Sequence, residues 1–296
     1  MAYGSAMTFS IVARLDDGVP GVIGPAWGVA VASKFLAAGA VVPGARAGVG
    51  AIATQAFANL RYLPDGLAAL AAGAGAAEVM ASLTATDDLV GQRQVGVVDA
   101  AGGSASFTGG ECFSWAGGLS GEGYAIQGNI LAGPEVVDAM RAAWLAAEGP
   151  LSARLVAVLL AGDRAGGDRR GRQSAAVLVV AEAAGYGGGS DVAVDLRVDD
   201  HADPVPELQR LLGVHTLLFG RPERTLPLAG DTARRVRGAL DTLGFDDPDL
   251  DKALNDLAGI ENLEERMVPG AVDVVVLEHI ERLAARTRDD SDYMAR

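Results

Sequence analysis

Lysine, cysteine, aromatic residues and positive charge are all scarce in this sequence. Of its 24 basic residues only two are lysines, Lys34 and Lys252; the remaining 22 are arginines. The single cysteine, Cys112, excludes an internal disulfide framework and a cysteine-based zinc site, and it fits a reducing compartment. A formal net charge of −14 leaves no basic excess with which to release counterions from nucleic acid or to bind an anionic membrane. Residues 1–7 carry neither a basic n-region nor an apolar h-region, so no secretory signal is expected. The longest uncharged runs, 18–33 and 47–60, are broken by Gly and Pro and fall short of a membrane span. No glycine-rich phosphate loop ending in Lys-Ser/Thr occurs, which removes support for nucleotide hydrolysis. These absences describe a cytoplasmic protein with no cofactor, no nucleic-acid partner and no membrane partner.

What remains is a chain built for burial. Half of its 296 residues are hydrophobic, and 40 glycines with abundant alanine imply closely packed strands and helices. The length suits one large domain with an appendage, or two domains. Lys34 is the one charge of either sign between residues 18 and 45. A lone ammonium in such a run either serves a site or ends a strand and reaches for solvent.

Along the chain, 8–13 alternates Phe9/Ile11/Ala13 against Ser10/Val12, and 28–33 is a second strand. Residues 41–42 and 47–53 read as strand pieces around a Pro43-Gly44 turn. Helical spacing follows over 59–72 and 76–83, then strands over 95–98, 105–108 and 123–127 separated by Gly-Gly pairs. Helices are predicted over 134–147 and 152–161, strands over 175–180 and 191–198, and a helix from Asp203-Pro204 onward. Grouped strands and grouped helices, rather than strict βαβ alternation, favour an α+β fold with antiparallel sheets. After Gly220 three helical patterns remain, over 240–243, 250–257 and 274–283, with no convincing strand. The expected division is therefore an extension (1–7), a main domain (8–220) and a small helical domain (221–296).

Three sets of residues then carry a family resemblance. They are Thr8-Phe9-Ser10-Ile11-Val12-Ala13-Arg14 with Gly28-Val29-Ala30-Val31-Ala32-Ser33-Lys34-Phe35; Gln94-Val95-Gly96-Val97-Val98-Asp99 with Gln127-Gly128-Asn129; and Gly167-Asp168-Arg169-Arg170-Gly171-Arg172-Gln173-Ser174-Ala175 with Leu196-Arg197-Val198-Asp199-Asp200-His201. Over about residues 8–220 the chain resembles the prokaryotic family called domain of unknown function 1028, grouped with the N-terminal-nucleophile (Ntn) hydrolases. That resemblance implies a four-layer αββα sandwich. The tail resembles a small domain to which peptidoglycan binding is ascribed, through Leu243-Gly244-Phe245 and Ala258-Gly259-Ile260-Glu261-Asn262-Leu263-Glu264-Glu265-Arg266.

By analogy with the better-known Ntn enzymes, Thr8 is the expected nucleophile. Its hydroxyl attacks an amide carbonyl while its own α-amine takes the proton. The resemblance places Lys34 beside that hydroxyl, with Asp168 and Ser174 completing the polar network. Asn129, after the Gln127-Gly128 pair, and Thr54-Gln55 are candidate oxyanion donors. Ser33 and Arg172 join the expected substrate-binding set, Arg172 as a carboxylate clamp. The expected activity is therefore amide hydrolysis of a small amide or peptide-like substrate, in a chain expected to form a homo-oligomer. Alternatives are a non-catalytic binding or assembly protein on the same fold, and a cell-wall binder acting through 221–296. His201 with Asp199, Asp200 and Asp203 is read as a strand end and helix cap rather than a metal site. The catalytic reading needs a free amine on Thr8, hence translation from Met7 or removal of Met1–Met7.

Overall fold

The computed structural model describes residues 8–294, with side chains as far as Thr287; the expected extension at 1–7 lies outside the described residues. The chain divides into two compact units, Met1–Leu212 and Gly213–Arg296. The first runs β1 (Thr8–Leu15), β2 (Ala26–Ser33), β3 (Pro43–Arg46), β4 (Gly50–Ala56), α1 (Tyr62–Ala71), α2 (Ala76–Ala85), β5 (Arg93–Asp99) and β6 (Ser104–Thr108). It continues through β7 (Gly117–Gly121), β8 (Tyr124–Asn129), α3 (Glu135–Ala146), α4 (Leu151–Arg164), β9 (Ser174–Val180), β10 (Val192–Val198) and the start of α5 (Pro204–Phe219).

Two antiparallel sheets result, one six-stranded in the order β10-β9-β2-β1-β8-β7 and one four-stranded in the order β3-β4-β5-β6. Side-chain alternation along β1 assigns its two faces. Phe9, Ile11 and Ala13 pack with Met140 and Trp144 of α3 and with Leu155 and Leu159 of α4. Val12 on the opposite face packs with Val29 and Val31 of β2, Ala51 and Ala53 of β4, and Val98 of β5. The other face of the smaller sheet, through Ile52, Val95 and Val97, is covered by Tyr62 and Leu70 of α1 and Val79 and Met80 of α2. Each large apolar side chain fully buried this way contributes about 1.5–3 kcal/mol. At Gly28 of β2 a Cβ would lie 2.6 Å from Leu155 Cδ1 and 3.0 Å from the Leu178 carbonyl oxygen, so the glycine leaves room for both neighbours.

The structure corrects the hairpin predicted near residue 43. Pro43-Gly44 opens β3, and the chain turns instead at 47–49, where Gly48 takes a φ of 72°. Pro43 is tolerated because β3 is an edge strand and Pro43 is its first residue. Strand β7 was not predicted, since Gly117-Gly118-Leu119-Ser120-Gly121 has the composition of a loop and is held by its pairing with β8.

In the second unit, α6 (Gly230–Leu243), α7 (Leu250–Glu261) and α8 (Val274–Met294) share a core of Val236, Leu240, Leu254, Leu257, Val276 and Ile280. Asp249 caps α7 by accepting the Lys252 N–H at 3.2 Å. Two short strands absent from the sequence reading, β11 (Thr225–Pro227) and β12 (Ala271–Asp273), pair antiparallel. Arg266 is buried against Asp273 and donates to the carbonyls of Thr216, Leu217 and Arg221. Among the described residues no helix is long and apolar enough to cross a membrane.

A buried polar slot at the head of the first strand

The apolar filling between the sheets stops at one end and polar side chains replace it. In β1 the positions that continue the Val12 face are Ser10 and Thr8, both fully buried. Their partners in β8 are Gln127 and Asn129, by the register Ser10↔Gln127 and Thr8↔Asn129. Across from them, β4 and β5 contribute Gln55 and Gln94, themselves register partners. Ser10 Oγ donates to Gln55 Oε1 at 2.6 Å and accepts from Gln127 Nε2 at 2.6 Å. Gln55 Nε2 donates to Gln94 Oε1 at 2.8 Å, and Asn129 Nδ2 donates to the same oxygen at 3.0 Å. Gln94 Nε2 in turn donates to the Gly128 carbonyl at 2.8 Å, the Thr108 hydroxyl at 2.9 Å and the Gly117 carbonyl at 3.2 Å. Gly96 makes room for the cluster: a Cβ there would stand 2.2 Å from Gln127 Oε1.

Thr8 Oγ1 lies 3.1 Å from Ser33 Oγ. This contact follows from register, because Thr8 and Ser33 are cross-strand partners and carry their side chains on the same face. Lys34, one residue on, has an exposed side chain, and among the described residues its ammonium makes no ion pair. Its backbone N–H does reach the constellation, donating to Asp168 Oδ2 at 2.8 Å. Asp168 is buried and also accepts from the Arg170 N–H at 2.9 Å and from the Arg170 guanidinium at 3.3 Å. Ser174 Oγ donates to the Phe35 carbonyl at 2.6 Å and accepts the Ala38 N–H at 3.1 Å, fastening the segment that follows Lys34. Thr54 points to the other face of its strand, where its hydroxyl donates to the Asn59 carbonyl at 3.3 Å.

A pocket of about 450 Å³ opens beside this end, lined among others by Phe9, Ser33, Asp163, Asp168 and Arg172. Arg172, in its wall, donates to Asp163 at 2.7 Å and Asp203 at 3.0 Å. Asp163 above all pushes the Arg172 guanidinium further up from its ordinary pKa. Thr8 is not among the lining residues. His201 Nδ1 accepts the Asp203 N–H at 3.0 Å, an arrangement of strand end and cap. Among the described residues no group of three or more His, Cys, Asp and Glu side chains could hold a metal ion.

Two features of this end have no counterpart in the sequence reading. The first is backbone strain: Ala56 and Ile130 have φ of 63° and 50°, and they directly follow Gln55 and Asn129. Left-handed conformations cost a β-branched residue about 1–3 kcal/mol and gather at functional sites. The second is a buried ion pair beside Gln94. Arg93 Nε bonds Asp87 at 2.9 Å, both side chains being 8% exposed. Asp87 also accepts from Asn59 and Tyr62, each at 2.8 Å. The Arg93 hydrogen bond holds the Asp87 carboxyl well below the usual carboxylate range, while burial and then Asp87 push the Tyr62 phenol up.

Residues 8–208 match the family model described as "Family of unknown function (DUF1028)". Residues 216–280 match one described as "Putative peptidoglycan binding domain". No curated protein matches the chain. Among solved structures, protein SPO2555 from Silicibacter pomeroyi, which carries the same DUF1028 model, is similar at 28% identity with a TM-score of 0.62. The similarity covers 77% of this chain and 92% of that one. A family match that begins at Thr8 and spans both sheets makes the conclusion plain: the chain belongs to the DUF1028 family.

Proposed function

We propose that the first unit is an Ntn-type amidohydrolase in which Thr8, with a free α-amine, carries an acyl group between an amide and water. Helices outside two facing sheets read as the αββα order of that class, and the family match starts at Thr8. The observation that carries the reading is the Thr8 hydroxyl, 3.1 Å from Ser33 Oγ at the head of a central strand and beside a polar pocket. In this scheme Oγ1 attacks the amide carbon and its proton passes to the Thr8 α-amine and on to the leaving nitrogen. The C–N bond breaks, the amine leaves and an ester remains on Thr8; water then cleaves the ester, giving the acid and restoring the Thr8 hydroxyl. Ser33 takes the place beside the nucleophile that the resemblance assigned to Lys34, orienting Oγ1 by a neutral hydrogen bond. Asp168 holds the backbone at Lys34, and Ser174 holds the segment after it. The Asn129 NH₂ group, expected as an oxyanion donor, is directed instead at Gln94 Oε1 and the Thr8 carbonyl oxygen.

A second reading, a non-catalytic protein on the same fold, is favoured by the complete burial of Thr8. Intact mass and an acylating probe separate the two. The catalytic reading expects a mature chain starting at Thr8 that takes up one acyl group, lost in Thr8→Ala. A homogeneous chain that retains Met1 or Ala2 and resists acylation supports the binding protein.

A further inference from the structure

The amide network between the sheets has one direction, and that direction is set by the backbone. Carboxamides are ambiguous by shape, since oxygen and nitrogen exchange places on a half-turn. Here main-chain carbonyls, which only accept, resolve Gln94. Its amide edge faces the Gly128 carbonyl at 2.8 Å and the Gly117 carbonyl at 3.2 Å, so that edge is Nε2. Oε1 must then face Gln55 and Asn129, so both present NH₂ groups to it, at 2.8 and 3.0 Å. Those same NH₂ groups have a second acceptor in common, the Thr8 carbonyl oxygen, at 3.2 Å from Gln55 Nε2 and 3.5 Å from Asn129 Nδ2. With its nitrogen so committed, Gln55 turns Oε1 to the Ser10 hydroxyl, which in turn accepts from Gln127. The Asn129 Oδ1 and Gln127 Oε1 atoms are left buried with no hydrogen-bond partner. The network thus leaves two acceptors unused while directing donors at Thr8.

We propose that Gln94 is a positioning residue for Thr8: it is anchored on the Gly117 and Gly128 carbonyls and turns the Gln55 and Asn129 carboxamides so that both donate to the Thr8 main-chain oxygen. The Thr8–Phe9 peptide plane is thereby fixed by one donor from each sheet, at the residue whose hydroxyl meets Ser33. The importance of that plane for acyl transfer rests on the reading of Thr8 as nucleophile; the arrangement itself does not.

Thr8-Phe9 is the sequence's one Thr-Phe dipeptide, so ¹³C′-threonine with ¹⁵N-phenylalanine labelling gives a single Thr8–Phe9 cross-peak in a carbonyl–amide NMR correlation of the full chain. In the unmodified protein the Gln55 and Asn129 side-chain amides are expected to exchange slowly. Gln94→Leu, which removes the shared acceptor, should move the Thr8 carbonyl resonance and abolish that protection. Gln94→Glu adds a pH signature. Protonated, the carboxyl keeps an O–H for Gly128 and an acceptor for Gln55 and Asn129. Ionised, it sets a second oxygen against the backbone carbonyls. Its cross-peak should therefore match the unmodified protein at low pH and depart as the introduced carboxyl titrates. Fast exchange in the unmodified protein overturns the proposal. So does a Thr8–Phe9 peak left unmoved in folded Gln94→Leu, or unmoved through the Gln94→Glu titration. None of these readouts needs turnover, so an inert Thr8 would leave them intact. In an active preparation Gln94→Leu should lower kcat with KM unchanged.

Discussion

Asp87→Asn tests the neighbourhood of Gln94 most severely, because it removes one charge from a pair that water hardly reaches. Arg93 then keeps the Phe57 carbonyl as an acceptor but loses the carboxylate that meets its Nε at 2.9 Å and its second guanidinium nitrogen at 3.2 Å. Breaking one partner of a buried pair costs about 3–5 kcal/mol, because the stranded charge pays its desolvation without return. Asparagine retains an oxygen for one donor, so the lower end, about 3 kcal/mol, is expected. That is a large share of the roughly 5–15 kcal/mol that holds a native domain. All three tryptophans, Trp27, Trp115 and Trp144, lie in the first unit, so tryptophan fluorescence in urea follows that unit. The pH dependence carries a sign. Asp87 has a folded pKa below its unfolded value of about 3.9, so its contribution is fully present above that value. It is lost as pH falls toward the folded pKa. The gap between the unmodified protein and Asp87→Asn should be flat from about pH 5 to 8 and close below about pH 4. A loss under about 1 kcal/mol, or a gap that widens in acid, would refute the argument.

Two further outcomes follow from close contacts. Gly96→Ala should destabilise the first unit by about 1–3 kcal/mol, read as a lower urea midpoint at unchanged slope, because the new methyl meets a carboxamide that is itself hydrogen-bonded. Ser174→Ala should cost about 1 kcal/mol and speed hydrogen exchange at the Ala38 amide, whose acceptor is the lost hydroxyl. An Ala38 rate equal to that of the unmodified protein would place the fastening elsewhere.

The strands that frame the slot were legible because period-two alternation is local. Phe9/Ile11/Ala13 against Ser10/Val12 is visible in six residues, whereas the strand expected over 123–127 stopped short of Asn129, which the structure places with Gln127 on β8. What Lys34 does was not legible. Whether residue 33 or 34 faces Thr8 depends on register across the link between β1 and β2, and a shift of one residue would exchange them. Gln94 was visible as part of a motif, but its role arises only where β5 meets β8 across the two sheets. Asp87 carried no signal, since its partner Arg93 reaches it through the turn that starts β5. The compositional change near residue 220 also differs from the division at Leu212/Gly213, which falls inside the continuous helix α5.

The polar slot contains glutamines, an asparagine, serine and threonine hydroxyls, and no ionisable side chain. Its electrostatic potential is therefore a property of fixed dipoles, the same in mild acid as in mild base. Any titration seen in chemistry at Thr8 would have to originate outside the slot: at the α-amine, at the charged wall of the neighbouring pocket, or at the substrate. A rate profile for this protein would thus read out those few groups against a background that does not move.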